Sequence, residues 1–130
     1  MSILIVEDNP TNGLILKHLV KKVYAGEIVV EAEPAKALQL CHLHDFALLL
    51  VDQKLPGMTG LQFFRMLRRL PRYQSVPAVM VTADTSRALR EEALSAGVTE
   101  FLTKPVEALS FAALMAALVP QEMIDADLAI

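Results

Sequence analysis

Five short apolar runs alternate along this chain with segments of helical period, and that alternation restricts the fold more than any other feature. The runs are SILIV at 2–6, EIVVEA at 27–32, ALLLV at 47–51, PAVMV at 77–81 and VTEFL at 98–102. Each has the length of one strand and most are rich in aliphatic and β-branched residues. Between them, helical spacing extends over about 10–22, 34–43, 59–70, 84–96 and 107–118. Strands that are apolar nearly throughout are buried on both faces, and the helices that join them cover those faces, the signature of a parallel sheet. The expected fold is a doubly wound α/β domain with five parallel strands.

Local punctuation agrees with these limits. Asn9-Pro10-Thr11 can start the first helix, residues 82–86 can cap the fourth, and Gly97 can end it. The 130 residues suffice for one domain burying roughly 65–70% of its unfolded surface. We assign that domain to residues 1–119 and read 120–130, after Pro120, as a tail or the start of a linker. With 54% hydrophobic and 21% charged residues, the chain can build a core and is not wholly disordered. A net charge of −3 supplies no overall basic field for nucleic acid or an anionic membrane. One cysteine builds no internal disulfide framework, the N-terminus lacks signal-peptide features, and no apolar run approaches the ~20 residues of a spanning helix. A cytoplasmic location with no membrane partner is expected.

In an open parallel sheet, the loops beyond the carboxyl ends of the strands form the ligand crevice. The first strand ends in Glu7-Asp8, the third in Asp52, the fourth in Thr82, and the fifth runs into Thr103-Lys104-Pro105. Three carboxylates gathered there repel one another unless cations compensate. Lys104 supplies one positive charge, and a divalent cation is the natural remainder. Hard oxygen donors favour Mg²⁺, which implies phosphoryl chemistry. Asp52 is the central carboxylate and the candidate nucleophile for an aspartyl phosphate. Glu7 and Asp8 are placed to hold the metal, Lys104 to pair a phosphoryl oxygen, and Thr82 to donate a hydrogen bond.

At these residues the chain resembles the receiver domains of two-component response regulators. The matching stretches are LIVEDNPTN at 4–12, LLLVDQKLPGMTG at 48–60, VMVTAD at 79–84 and FLTKPV at 101–106. The resemblance implies a flavodoxin-like fold with strand order 2-1-3-4-5 and phosphorylation of Asp52 by a histidine kinase or a histidine phosphotransfer protein. It places the acidic pair on Glu7 and Asp8, a further metal contact on the backbone carbonyl of Lys54, the switch hydroxyl on Thr82 and the switch aromatic on Phe101. Mg²⁺, or Mn²⁺, is the implied cofactor. The bond between Lys104 and Pro105 is expected to be cis. Phosphorylation is expected to remodel the surface of the fourth helix, fifth strand and fifth helix, through which an output domain, an effector or a second copy of the chain would bind. No external substrate is turned over in this reading.

Some positions depart from the family pattern. Glu7 stands where many members have aspartate, Leu55 replaces a frequent methionine and Thr59 a frequent aspartate. Lys54 and Asp84 each follow a site residue by two positions, and an ion pair between them across the site mouth would slow water attack on the phosphoryl group. Phe101 by its residue type alone is a core aromatic, Thr82 a helix cap and Lys104 a solvated lysine.

Other features read as structural. Cys41 and His42 point about 100° apart on a helix, and only Cys41 and His44 share a face, which disfavours a metal site. Arg65, Arg68, Arg69 and Arg72 read as a solvated face opposite Phe63, Phe64, Leu67 and Leu70, and Met66, Met80 and Met115 as core or gap filling. In the last helix Phe111, Leu114, Met115 and Leu118 can face the sheet, leaving alanines outside for a partner or for solvent. A phosphatase with an aspartyl nucleophile needs an acid two residues after it, where this chain has Lys54. A nucleotide or flavin site at the first loop would meet repulsion from Glu7-Asp8. A receiver-like module that binds partners without phosphorylation is the remaining alternative, against which the complete acidic and lysine set argues.

Overall fold

The computed structural model describes residues 2–119, and the segment 120–130 read as a tail or linker lies outside the described residues. Five strands, β1 (Ser2–Val6), β2 (Glu27–Glu31), β3 (Phe46–Val51), β4 (Ala78–Thr82) and β5 (Glu100–Thr103), alternate with helices α1 (Pro10–Lys21), α2 (Pro34–Leu43), α3 (Gly60–Leu67), α4 (Arg87–Ser95) and α5 (Ala108–Leu118). The strands form one parallel sheet in the order 2-1-3-4-5. The inner strands β1, β3 and β4 are buried almost throughout, while the edge strands β2 and β5 are partly exposed. This accounts for Glu27, Glu31 and Glu100 in strands that are otherwise apolar.

Side chains on a strand alternate between faces, and the core divides accordingly. Leu4, Val6, Leu49, Val51 and Met80 pack with Phe63, Phe64 and Leu67 of α3 and with residues of α2 and α4. Ile3, Ile5, Leu48, Leu50, Val79 and Val81 face the other way, onto Leu16 and Val20 of α1 and Phe111 and Met115 of α5. Leu114 and Leu118 are half-buried against that second layer. Leu109 of α5 is exposed.

Three helix limits carry information. Asn9 caps α1 by accepting the amide of Asn12, with Pro10 in the first turn, where its missing N–H has no cost. Helix α3 stops at Leu67 rather than near residue 70: Arg68 and Arg69 turn the chain, and Pro71 opens a short 3-10 turn over Pro71–Tyr73. Helix α4 starts at Arg87 rather than 84, because Asp84 accepts the Ser86 amide and Ser86 then caps the helix by accepting from Leu89.

Two assignments of side chains to solvent or core need correction. Met66 is substantially exposed, whereas Met80 and Met115 are buried. Arg68 is not part of a solvated face. Its guanidinium is half-buried and donates to the carbonyls of Tyr73 (2.5 Å), Val76 (2.7 Å) and Gly97 (2.8 and 3.1 Å). The short turn after α3 brings up the Tyr73 carbonyl and the end of α4 brings up that of Gly97, a non-local arrangement that helical spacing does not encode.

Candidate functional site

Strand register brings the site residues to one edge of the sheet. Val6 pairs with Val51, so Glu7 and Asp52 leave adjacent strands side by side, and Thr82 pairs with Thr103, so Lys104 leaves β5 on the far side of β4. Backbone hydrogen bonds continue past the strand ends: the Asp52 amide donates to Val6 O (3.0 Å), and the Lys104 amide to Thr82 O (2.9 Å). The side chains therefore project from a stiff base. Asp52, Thr82 and Lys104, together with Asp8, Asn9, Lys54, Pro56 and Asp84, line a cleft of ≈ 730 Å³.

At its centre, Lys104 Nζ donates to Glu7 Oε1 (2.5 Å) and to Asp52 Oδ2 (3.0 Å). Asp52 Oδ1 is approached by the Lys54 amide at 3.4 Å. Glu7, Asp52 and Thr82 are the buried polar residues of the described fold, and Asp8 is exposed at the cleft mouth. Burial pushes the Glu7 carboxyl up to about 7; a hydrogen bond with Asp52 adds to this and Lys104 opposes it. For Lys104, burial favours the neutral amine, but the hydrogen bonds and charges of Glu7 and Asp52 outweigh it and raise its pKa.

The donor set fits a hard divalent cation. Oxygens of Glu7, Asp8 and Asp52 lie within 4.8 Å of one another, and they form the acidic group compatible with a metal among the described residues. Glu7 Oε2 is buried with no hydrogen-bond partner. An unpaired carboxylate oxygen in that position is costly to desolvate unless a cation compensates it. The cluster at Cys41, His42 and His44 has no such character: Cys41 is buried, and burial pushes its thiol up to about 11.

Thr82 is buried, and its hydroxyl oxygen accepts the Asp84 amide at 3.3 Å. Phe101 is buried, with the Arg90 guanidinium 5.8 Å from its ring centroid. The peptide bond between Lys104 and Pro105 is cis. Lys54 and Asp84 both line the cleft, yet among the described residues no ion pair joins them. The Asp84 carboxylate instead accepts from Ser86, and that hydrogen bond holds it below the usual carboxylate range. Sequence reasoning gave Gln53 and Gly60 no role in the site, although both contact its backbone. Their part lies in long-range geometry rather than in residue type.

Residues 3–118 match the family model of the response regulator receiver domain. The chain belongs to that family. Receiver domains are signalling modules of two-component systems and phosphorelays. Among its relatives is RpfG, a cyclic di-GMP phosphodiesterase response regulator of Xanthomonas campestris, 38% identical over 108 residues. That alignment covers 82% of this chain but 28% of RpfG, so the chain spans little more than a quarter of that relative. The chemotaxis protein CheY of Pseudomonas aeruginosa is 35% identical over 108 residues, covering 83% of this chain and 87% of CheY. Among solved structures, the receiver domain of a Pseudomonas aeruginosa sensor histidine kinase has a TM-score of 0.80 at 25% identity and covers 90% of this chain and 95% of its own. That neighbour holds a magnesium ion in its active site cleft. A response regulator from Chloroflexus aurantiacus has a TM-score of 0.83 at 25% identity, with coverage of 90% and 95%. No helix of the described residues is long and apolar enough to cross a membrane.

Proposed function

We propose that this receiver domain is a phosphorylation-dependent switch whose Asp52 accepts a phosphoryl group from a histidine kinase or a histidine phosphotransfer protein. The observation that carries the reading is the environment of Asp52: a buried carboxylate at the floor of an open cleft, held on one oxygen by Lys104 and flanked by Glu7 and Asp8. A bare surface aspartate would need none of these partners.

Mg²⁺, or Mn²⁺ in its place, would be held by Glu7, Asp8, Asp52 and the Lys54 carbonyl, and would supply charge neutralisation for the transferring phosphoryl oxygens. An Asp52 carboxylate oxygen attacks the phosphorus as the phosphorus–nitrogen bond of the donor's phosphohistidine breaks, and the imidazole leaves with the electron pair. Lys104 then exchanges part of its pairing with Asp52 for a phosphoryl oxygen. The Thr82 hydroxyl turns to donate to another, giving up its contact with the Asp84 amide.

That exchange is the basis of switching. Thr82 ends β4 and Phe101 stands one strand away in β5, paired in register with Met80. Inward movement of Thr82 frees space that Phe101 follows, and the Arg90 contact on α4 moves with it. Phosphorylation thereby biases two packings of the surface formed by α4, β5 and α5, where an output domain, an effector or a second copy would bind. Lys54 and Asp84 modulate the lifetime of the phosphoryl group individually, by bulk and charge at the cleft mouth. The domain turns over no external substrate, and its place of work is the cytoplasm.

Incubation with a small-molecule phosphodonor and Mg²⁺ followed by intact mass measurement tests the reading. The wild type should gain about 80 Da, and Asp52→Ala should not. Absence of the gain in the wild type, or an equal gain in the variant, would refute the proposal.

A further inference from the structure

The first N–H groups of a helix have no partner within it, and something must satisfy them. In α3 the supply is unusual. Thr59 and Gln62 form a capping box, in which Thr59 Oγ1 accepts the Gln62 amide (3.1 Å) and Gln62 Oε1 accepts the Thr59 amide (2.9 Å). The two remaining amides of the first turn turn to one residue seven or eight positions upstream. Gly60 N–H donates to the backbone oxygen of Gln53 (2.9 Å), and Leu61 N–H donates to its side-chain Oε1 (2.9 Å). Gln53 therefore grips the helix with both its backbone and its side chain.

The grip falls between the two residues that matter most to the site. Gln53 follows Asp52 and precedes Lys54, whose amide approaches Asp52 Oδ1. The Asp52 carbonyl also lies against the helix: a Cβ built on Gly60 would stand 2.2 Å from Asp52 O and 3.0 Å from Gln53 Cα. Only glycine allows that approach. Leu61 is buried and its hydrogen bond to Gln53 is part-buried, so losing that acceptor is costly for its amide.

We infer that Gln53 is a positioning residue for the metal site, locking the Asp52–Lys54 backbone onto the N-terminus of α3 through its side-chain bond to Leu61. The inference rests on the proposed metal reading of the cleft, in which Asp52 and the Lys54 carbonyl are ligands. Without the lock, Gln53 is tied to the helix by its backbone bond to Gly60 alone, and the Asp52–Lys54 ligand segment has more conformations to lose when the metal binds. Thr59 is the natural control. Its side chain satisfies an amide of the same helix turn but has no bond to residues 52–54.

Mg²⁺ titration of the ¹⁵N-labelled protein, followed at the amides of Asp8, Asp52 and Lys54, reads the metal affinity, and amide exchange at Leu61 reads the lock. Gln53→Met keeps the side chain's length and removes its acceptor. It should raise the Mg²⁺ dissociation constant about threefold to tenfold and speed exchange at Leu61. Thr59→Ala should lower stability comparably and leave the Mg²⁺ affinity within about twofold of the wild type. Gln53→Asn, one methylene shorter, should rank with Gln53→Met and serves if that variant folds poorly. Equal Mg²⁺ affinity in Gln53→Met and the wild type would overturn the inference, as would an equal loss in Thr59→Ala, which would reduce Gln53 to a helix cap. A wild type that shows no saturable shift with Mg²⁺ would bring down the metal reading itself and the inference with it.

Discussion

The two ends of the sheet treat their polar groups in opposite ways. At the amino end of the strands, the side chains of Tyr73, Arg68 and Thr99 are occupied by backbone. The Tyr73 hydroxyl donates to His44 O and accepts the Phe46 amide (3.1 Å), Arg68 spans three carbonyls, and the Thr99 hydroxyl oxygen accepts the Ala78 amide (3.0 Å). These contacts close the loops that lead into β3, β4 and β5. At the carboxyl end, charged side chains face one another across a cleft, and Glu7 Oε2 has no partner. One end uses hydrogen bonds to finish the fold. The other leaves capacity for a ligand at a cost in stability that the finished end helps the domain to bear.

The contrast can be broken by mutation, beginning where the largest change is expected. Lys104→Met removes the cation shared by Glu7 and Asp52 and should slow phosphorylation by a small-molecule donor by about a hundredfold or more, read as the rate of mass gain. Its urea midpoint should fall far less than the rate does. At the opposite end, Tyr73→Phe strands the buried Phe46 amide and should cost about 1–3 kcal/mol in urea unfolding while leaving Mg²⁺ affinity unchanged. A change in metal affinity there would show that the two ends are not separable.

A pH titration sharpens the same comparison. The folded-state pKa of Glu7 is raised, so its contribution to stability is complete below its ordinary value of 4.5 and is lost as pH rises through about 7. In chelator, the stability difference between the wild type and Glu7→Gln should therefore shift against the wild type over that window. Mg²⁺ displaces the proton, so its apparent affinity should rise up to about tenfold per pH unit approaching 7 and level off above it. The smallest effect belongs to the cleft mouth. Lys54→Ala should shorten the lifetime of the phosphorylated form by about twofold to fivefold through easier water entry, without the loss of any ion pair to Asp84. An unchanged decay rate would remove Lys54 from the account.

Much of the carboxyl end was legible because its chemistry lies in residue type at strand ends. Glu7, Asp8, Asp52, Thr82 and Lys104 each follow or close an apolar run, and a parallel sheet must bring such residues together. The amino end was not legible in the same way. Arg68 sits at helical spacing with three exposed arginines, and nothing in the spacing reveals that α3 ends at Leu67 and that the Pro71 turn delivers the Tyr73 carbonyl to its guanidinium. Asp84 was equally opaque: its charge suggested an ion pair with Lys54, but the shorter reach to the Ser86 amide prevails. Gln53 lay beside the most conspicuous residue of the chain, and its bond to Leu61 depends on how the loop folds back.

The central claim is that the phosphoryl group resides on Asp52 because Lys104, Glu7 and Asp8 make that carboxylate reactive. Reaction with a phosphodonor in Mg²⁺, followed by borohydride reduction of the acyl phosphate and peptide mass mapping, tests it most directly. A single reduced residue is expected, at position 52, that disappears when Mg²⁺ is chelated before the donor is added. A reduced residue at Asp8 or Asp84, or labelling of Asp52 that is indifferent to Mg²⁺, would contradict it.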